Sequence, residues 1–196
     1  SVMKTALFAD VPSALEALQA CLAHAARSGA EAFVFLGDLV GYGADPAACV
    51  ERIEALVRQG VAAAVLGNHD EAVVSGWCGD MNPHAREAIY WSRERLSAGQ
   101  IGFLESLPLS LRAGECLYVH ASAREPRAWN YIAASDAAAE CFAASDARLV
   151  FAGHVHHQVL YYSVSRGASR AFRPTPGEPI LLAAPRRWLA LAGSVG

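Results

Sequence analysis

The sequence lacks paired cysteine motifs, long apolar runs and a signal sequence, and each absence excludes a class of protein. Its five cysteines are an odd number, widely spaced and without a Cys-x-x-Cys pair, so neither a disulfide framework nor a cysteine zinc site is predicted. No stretch approaches the ~20 apolar residues of a membrane-spanning helix. The N-terminus has no basic segment followed by an apolar one, which is the pattern of an exported protein. We therefore expect a cytoplasmic protein with no membrane partner.

Charge is scarce as well. Only 18% of the residues are charged, the formal net charge is −3 at pH 7, and no run of five basic residues occurs. Such a chain has no general attraction for polyanions, so nucleic acid is not expected as a large partner. A chain of 196 residues is long enough for one hydrophobic core, and we predict a single domain over residues 1–196.

Apolar and amphipathic segments alternate in the first third of the chain. Strand patterns occur at 2–9, 32–37 and 61–67, and helix patterns occur at 13–29 and 46–60. Ser13 and Glu16 match a Ser-x-x-Glu capping box for the first helix, which Gly29 ends, and Pro46 suits the start of the second. This order predicts a β-α-β-α-β unit.

The rest of the chain predicts three further helices and a strand-rich end. The helices cover 82–96, 101–107 and 135–144, "LSLRAGECLYVH" forms a hairpin that turns at 113–114, and a strand covers 148–153. Short strands follow "GHVHHQ". Alternating βαβ units followed by strands indicate an α/β fold with helices outside a mixed sheet. The tryptophans are expected in the core, with an interface as the alternative: Trp77, Trp91, Trp129 and Trp188.

Unusual polar residues follow the predicted strands directly. They are Asp10, Asp38, Asn68, His69, Asp70, His120, His154 and His156. Because the carboxyl ends of strands in an α/β sheet meet at one edge, we expect these side chains to converge. Carboxylates, an amide oxygen and imidazoles without cysteine suit Mn²⁺, Fe, Co²⁺ or Zn²⁺ better than Mg²⁺ or Ca²⁺. The set predicts a binuclear metal centre.

Each of these motifs taken alone has a structural explanation. Asp10 is typical of a cap or turn, and Asp38 in "GDLVGYG" of a glycine-rich turn in which the carboxylate bonds its own backbone. "GNHD" also makes an ordinary loop, His120 suits a packed position, and His157 an exposed one. The order of all five motifs, each after a strand, favours the metal centre.

These motifs resemble those of the calcineurin-like metallophosphoesterase superfamily. The matching segments are "ADVPS", "GDLVG", "GNHD", "VHAS" and "GHVH", and "GDLVGYGADP" is similar to the small bacterial phosphodiesterase-like branch. The resemblance implies a four-layer α-β-β-α sandwich of two mixed sheets flanked by helices. Protein phosphatases of the superfamily carry an arginine in the second motif and GNHE in the third. This chain lacks both, so protein substrates are not expected.

The resemblance also implies roles for individual residues. Asp38 would bridge two metals, with Asn68, His120 and His154 completing one site and Asp10 and His156 the other. His69, oriented by Asp70, would stabilise the phosphate or protonate the leaving oxygen. Arg124 would help to hold a phosphate, with a solvated surface position as the alternative.

One position departs from the family pattern. Pro12 stands where the family has a histidine, and proline offers no lone pair to a metal; before Ser13 it would stiffen the entry to the first helix. We expect the second metal site to be filled and the first to be weak, exchangeable or empty. Manganese is the expected metal, with Fe, Co, Zn or Ni as alternatives.

The function that these features predict is hydrolysis of phosphodiesters or small phosphomonoesters by attack of hydroxide held at the metals. The substrate partner would be a small phosphate ester. A non-catalytic protein-binding scaffold with a degenerate site is the alternative that Pro12 favours, and a mononuclear phosphate-binding or metal-sensing protein is a third. Relatives of this pattern continue beyond "LAGSVG", which leaves open a C-terminal truncation. The pattern does not indicate an oligomeric state.

Overall fold

The computed structural model describes residues 3–11, 13–165 and 167–196. Pro12, on which the expected weakness of the first metal site depends, lies outside the described residues, as does Val2 of the predicted first strand.

The first half of the chain forms a small parallel sheet with crossover helices. Its elements are β1 (Thr5–Phe8), α1 (Leu15–Arg27), β2 (Ala32–Phe35), α2 (Pro46–Arg58) and β3 (Ala62–Ala64). The strands lie in the order β1-β2-β3, and both pairings are parallel. Parallel neighbours need a crossover that covers the sheet, and the amphipathic helices α1 and α2 supply it. The predicted β-α-β-α-β unit is confirmed.

The predicted capping box at the start of α1 is wrong. The helix begins one residue after Ala14, which makes no side-chain capping bond. The hydroxyl of Ser13 instead accepts a hydrogen bond from the amide of Gly41 at 3.1 Å. This hydrogen bond joins the first motif to the loop after β2. Ser13 itself has a positive φ of 59°. Gly29, with φ 81°, does follow the end of the helix.

Three helices connect the two halves: α3 (Asn68–Ser75), α4 (Pro83–Arg95) and α5 (Ala98–Glu105). Asn82 caps α4 by accepting from the amide of Ala85 at 2.9 Å, and this confirms the predicted helix start. Helix α3 was not predicted, because its first residues form the polar motif "GNHD" and carry no helical period. None of the described helices is both long and apolar enough to cross a membrane.

The second half forms a six-stranded mixed sheet. It contains β4 (Ser110–Ala113), β5 (Cys116–Val119), β6 (Leu149–Ala152), β7 (Val159–Ser163), β8 (Ser169–Phe172) and β9 (Trp188–Leu191), in the order β4-β5-β6-β9-β7-β8. The central strands β5, β6 and β9 are parallel, and the pairings toward both edges are antiparallel. Helix α6 (Ser135–Ala143) and a short 3-10 helix (Pro126–Ala128) lie between β5 and β6 in the chain.

The two sheets pack face to face with helices outside. Ala9, Val34 and Leu36 of the first sheet pack against Tyr118 and Phe151 of the second. The outer face of the small sheet packs on α1 and α2, and that of the large sheet on α6. This is the predicted α-β-β-α sandwich, although every pairing of the small sheet among the described residues is parallel and only the large sheet is mixed. The carboxyl ends of the strands of both sheets therefore lie within reach of one another.

We expect Phe35→Ala to destabilise the protein by about 3–5 kcal/mol, because it leaves a large cavity in a central strand. Phe35 is fully buried, and its ring stacks on that of Phe8 with centroids 5.3 Å apart. Urea unfolding followed by circular dichroism measures the change. Leu181→Ala removes a side chain that is 84% exposed and should change the free energy of unfolding by less than about 0.5 kcal/mol. Equal midpoints for the two variants would contradict this packing.

Candidate metal centre

Four predicted ligands from both sheets meet around the ring of His120. Its Nε2 lies 3.0 Å from Asn68 Oδ1, 3.1 Å from His154 Nδ1 and 3.5 Å from Asp38 Oδ2. Asp38 and Asn68 follow strands of the small sheet, whereas His120 and His154 follow strands of the large one. The structure thus brings together the four residues that the resemblance assigns to the second metal site.

The protons of the two imidazoles point away from the centre of this cluster. His120 Nδ1 lies 2.7 Å from the carbonyl oxygen of Leu36, and His154 Nε2 lies 3.0 Å from that of Trp129. A carbonyl accepts only, so each of these ring nitrogens carries the hydrogen. His120 Nε2 and His154 Nδ1 therefore present lone pairs to the carboxylate and amide oxygens of Asp38 and Asn68.

A divalent cation fits this arrangement. Lone pairs that face one another without a hydrogen between them repel, and a shared cation removes that repulsion. Ligand atoms at about 2.0–2.2 Å from one transition metal lie about 3.0–3.6 Å from their neighbours, and the observed separations from His120 Nε2 are 3.0–3.5 Å. Asp38, His120 and His154 are all buried, and their donor atoms lie within 4.8 Å of one another. The mixture of imidazole and oxygen donors suits a transition metal.

A second, smaller group holds the ligands that the resemblance assigns to the first site. His156 Nε2 lies 3.5 Å from Asp10 Oδ1, and Asp10 Oδ2 accepts from the amide of His154 at 3.0 Å. Asp10 Oδ1 is buried and has no hydrogen-bond partner among the described residues. Because buried carboxylate oxygens are normally satisfied, this atom is available to a cation. His156 is half-exposed, so this group is more open than the one around His120.

The backbone at four of these ligands adopts the left-handed region. The φ angles are 52° at Asp10, 53° at Asp38, 67° at His154 and 64° at His156. Residues other than glycine pay a steric penalty in this region, and such residues concentrate at functional sites. The sharp turns that they form direct each side chain back over the end of its own strand.

Two motif glycines allow these turns to come together. A Cβ on Gly67 would lie 2.1 Å from Asp38 Oδ1, and one on Gly153 would lie 2.9 Å from Asp10 Oδ2. Both contacts are shorter than real Cβ atoms make. The glycine that precedes "NHD" is therefore required by the close approach of Asp38. The glycine that precedes "HVH" is required first by Ala9, whose Cβ would lie 2.6 Å away, and then by the Asp10 carboxylate.

The surroundings shift the pKa values of the ligands. Burial, together with the negative charge of Asp38, raises the pKa of Asp10 to about 6. Burial acts in the same direction on Asp38, but the imidazoles of His120 and His69 and the amide of His69 hold the pKa of its carboxyl below the ordinary value. Burial and the neighbouring His120 lower the pKa of His154 to about 4. His154 is thus neutral at pH 7, as a metal ligand must be.

Asp70 does not orient His69 as expected. Its Oδ1 accepts from the amides of Leu39 at 2.8 Å and Val40 at 3.2 Å, and its Oδ2 accepts from that of Gly67 at 2.9 Å. The hydrogen bonds of the described residues include none between Asp70 and the His69 ring. Burial, with the charge of Asp38, raises the pKa of Asp70 to about 7. The fully buried carboxylate joins the loop after β2 to the start of α3, so its role is to position backbone.

His69 lies at the edge of the cluster. Its amide donates to Asp38 Oδ1 at 3.0 Å, and its half-buried ring meets the edge of the Tyr42 ring at a centroid distance of 5.3 Å. Tyr42 in turn stacks on His84 at 5.4 Å. The sequence pattern does not single out Tyr42, and the signal it offers is an aromatic residue four positions after Asp38 in "GDLVGYG".

Arg124 is directed away from the ligands. Its Nη1 lies 2.5 Å from Glu140 of α6, and its Nε lies 3.9 Å from Glu125. The cavity that Arg124 lines contains none of the ligands around His120 or Asp10. Arg124 thus lies in the alternative position, a half-exposed surface ion pair, and nothing in this geometry supports its predicted contact with a phosphate.

Sequence reasoning missed an aromatic loop that covers one side of the cluster. The Tyr131 ring stacks on His154 with centroids 4.0 Å apart, and Trp129 meets His120 edge-on at 5.8 Å. Trp129 Nε1 donates to Glu71 at 3.1 Å, and Glu71 also forms an ion pair with Arg127. The segment "WNY" that follows the fourth motif was the signal in the sequence.

With this geometry established, comparison with known proteins assigns the chain to a family. Residues 3–158 match the calcineurin-like phosphoesterase family. The chain belongs to this family. Over 156 residues it is 35% identical to "Uncharacterized protein MJ0912" of Methanocaldococcus jannaschii, and the alignment covers 77% of this chain. The chain spans about 61% of the length of that curated relative.

Solved structures of this calcineurin-like phosphoesterase fold superpose on the whole chain. A metallophosphoesterase from Sphaerobacter thermophilus matches with a TM-score of 0.82 and 35% identity, covering 100% of this chain and 78% of that one. Hypothetical protein PH1004 from Pyrococcus horikoshii OT3 matches with a TM-score of 0.72 and 14% identity, with the same coverages. The second similarity is one of fold alone. Members of this family bind divalent metals, in agreement with the donor cluster around His120.

We expect Asp70→Ala to destabilise the protein by at least about 3 kcal/mol, because it leaves three buried amides without an acceptor. Asp70→Asn keeps one carbonyl oxygen for the amides of Leu39 and Val40 and should lose about half as much. Manganese affinity, measured by calorimetry, should fall at least about 10-fold in the alanine variant, since the motif loops are no longer joined. Asp80→Ala, at an exposed position, is the control. A free energy of unfolding equal in both alanine variants would exclude the positioning role.

Proposed function

We propose that this protein is a metal-dependent phosphoesterase that hydrolyses phosphodiesters or small phosphomonoesters. The observation that supports it most directly is the cluster of four inward-facing lone pairs around His120, in a chain of the calcineurin-like phosphoesterase family. Hydrolase activity is general in that family. A small phosphate ester is the proposed partner, in keeping with a net charge of −3 and no basic run for a polyanion.

The proposed centre is binuclear, with Asp38 as the bridge. Asn68, His120 and His154 would hold the second metal with Asp38, while Asp10 and His156 would hold the first. The low pKa of Asp38 keeps its carboxylate charged for this role. Divalent ions held there would supply polarisation of the phosphate and a source of hydroxide near neutral pH. Manganese is the proposed metal, with Fe, Co, Zn or Ni as alternatives.

His69 is the proposed proton donor to the leaving oxygen. Its ring is half-buried beside the ligand cluster and is held at its edge by Tyr42, and imidazole is the side chain most often used for proton transfer. The amide of the same residue donates a hydrogen bond to Asp38 Oδ1. This bond fixes the distance between the backbone of the proposed proton donor and the proposed bridging carboxylate. Asp70 contributes indirectly, by positioning the loop that carries Asp38.

A non-catalytic scaffold is the rival function, and Pro12 is the feature that favours it. The buried ligand cluster and the unsatisfied carboxylate oxygen of Asp10 argue against a scaffold. A protein-binding surface does not require buried polar groups of this kind. A mononuclear phosphate-binding or metal-sensing protein would keep only the second site. We propose a cytoplasmic location, which agrees with five cysteines that are all free.

Calorimetric titration of the metal-free protein with Mn²⁺ should give one tight and one weak site. The ligand set around His120 has four members, whereas Pro12 removes a donor from the set around Asp10. His154→Ala should weaken the tight site at least about 100-fold, and Pro12→His should strengthen the weak site about 10–100-fold. Two tight equivalents in the unaltered protein would contradict the proposed role of Pro12.

Hydrolysis of bis(p-nitrophenyl) phosphate and p-nitrophenyl phosphate should require Mn²⁺ and should keep rising after the first equivalent is bound, because the weak site fills last. EDTA should abolish it. His69→Asn should lower kcat by about 10²–10⁴-fold at saturating Mn²⁺. The control is His157→Asn, at an exposed histidine directly after the last motif. Absence of hydrolysis in both the unaltered protein and Pro12→His, with metal bound, would favour the scaffold or the sensor.

A further inference from the structure

A cavity of about 740 Å³ opens directly beside the ligand cluster. Asn68 and His154 line one end of it, and the remaining wall comes from α3, the turn after it and the loop that carries Trp129. Volumes of about 300–1,000 Å³ are typical of small-molecule sites. A phosphate bound at the metals would therefore have its ester group beside this space, which is large enough for a nucleoside or an aryl alcohol.

We propose that this cavity binds a planar aromatic group of the phosphoester substrate, stacked on Trp77. The inference rests on the proposed function, because it assigns the cavity to the ester group of the same substrate. A nucleobase and a simple aryl ring share this chemistry, and the experiment below distinguishes them.

Trp77 presents most of its ring to solvent on the wall of the cavity. It is 76% exposed, so the expectation of a core position is wrong for this tryptophan. Its amide donates to Ser75 Oγ at 3.1 Å, and its ring lies so close to Gly79 that a Cβ there would come within 3.2 Å of it. A large exposed ring on a cavity wall offers a stacking surface to a flat ligand.

Aromatic side chains continue along the wall toward the metal ligands. Tyr131 is 62% exposed and stacks on His154, and Trp129 is held by its bond to Glu71. Both line the cavity together with Met81. The lining between the candidate ligand His154 and Trp77 thus contains aromatic and thioether side chains, which favour contact with a flat ring attached to the phosphate.

The charges of the cavity argue against a second phosphate or a polyanionic chain. Among the described residues that line it, the fully charged side chains are Glu71, Asp80 and Arg127. Arg127 is neutralised by its ion pair with Glu71, and Asp80 adds a negative charge. An uncharged ring is therefore favoured over a further phosphate or carboxylate in this space.

Two matched ligand pairs test the proposal. Adenosine 5′-monophosphate and ribose 5-phosphate differ in the base, and benzyl phosphate and ethyl phosphate differ in the ring. Phosphate release with saturating Mn²⁺ gives kcat/KM, and calorimetry of the Mn²⁺-loaded His69→Asn variant, in which slow turnover leaves the ligand intact, gives Kd. We expect the aromatic member of at least one pair to be favoured about 5–100-fold in both measurements. A preference only in the first pair indicates a nucleobase, and one only in the second indicates an aryl ring.

Trp77→Ala should lower kcat/KM for the favoured aromatic ligand about 5–100-fold and so remove this preference, and Trp77→Phe should keep most of it. Tyr90→Ala, at a 49% exposed aromatic residue outside the cavity, is the matched control. Tyr131→Ala provides a second variant, at the His154 end of the cavity, and should also weaken the preference.

The outcomes separate this inference from the proposed function. A protein that hydrolyses both members of each pair with equal kcat/KM and binds them with equal Kd is a phosphoesterase whose cavity does not take an aromatic group, which overturns the inference. A protein that hydrolyses none of them but binds the aromatic members more tightly, through Trp77, keeps the inference and loses the proposed hydrolysis. An undiminished preference in Trp77→Ala would also overturn the assignment.

Discussion

One hydrogen bond between residues that follow strands of the two sheets orients the candidate metal centre. His120 belongs to the large sheet, and its Nδ1 donates to the carbonyl of Leu36 at the end of a strand of the small sheet. The bond holds the two strand ends together and fixes the proton on the outer nitrogen. The lone pair of Nε2 is consequently directed at Asp38, Asn68 and His154. Without this bond the cluster would have no defined centre.

Glycines, strained backbone angles and buried hydrogen bonds bring the other motif loops close to that bond. Two glycines avoid clashes where motif backbones approach carboxylates, and four candidate ligands adopt positive φ angles. Asp70 satisfies three buried amides that would otherwise open two of these loops. Strain of this kind persists only where the surrounding structure over-determines it. The helices outside the sheets and the packed interface between them provide that support.

The centre is asymmetric in its exposure. The group around His120 is buried beneath Trp129 and Tyr131, whereas His156 at the other end is half-exposed. A single loop provides the carbonyl that orients His154 and the rings that wall the cavity. Glu71 anchors this loop to the helix that begins at Asn68. Ligand orientation and the shape of the neighbouring cavity are therefore properties of the same contacts, and a change in the loop would affect both.

The sequence by itself determined most of the helices and strands and the residue types of the candidate ligands. Hydrophobic period is a local property, so the β-α-β-α-β unit, the hairpin and the strand-rich end were predictable, and the order of polar residues after strands identified the family. Only the tertiary structure decided which partner each polar group takes. Ser13 bonds the amide of Gly41, Asp70 bonds three amides, and Arg124 pairs with Glu140. Each of these polar groups has several possible hydrogen-bond partners, and the fold decides which one lies near enough. Because those partners come from distant parts of the chain, no local sequence pattern predicts the choice.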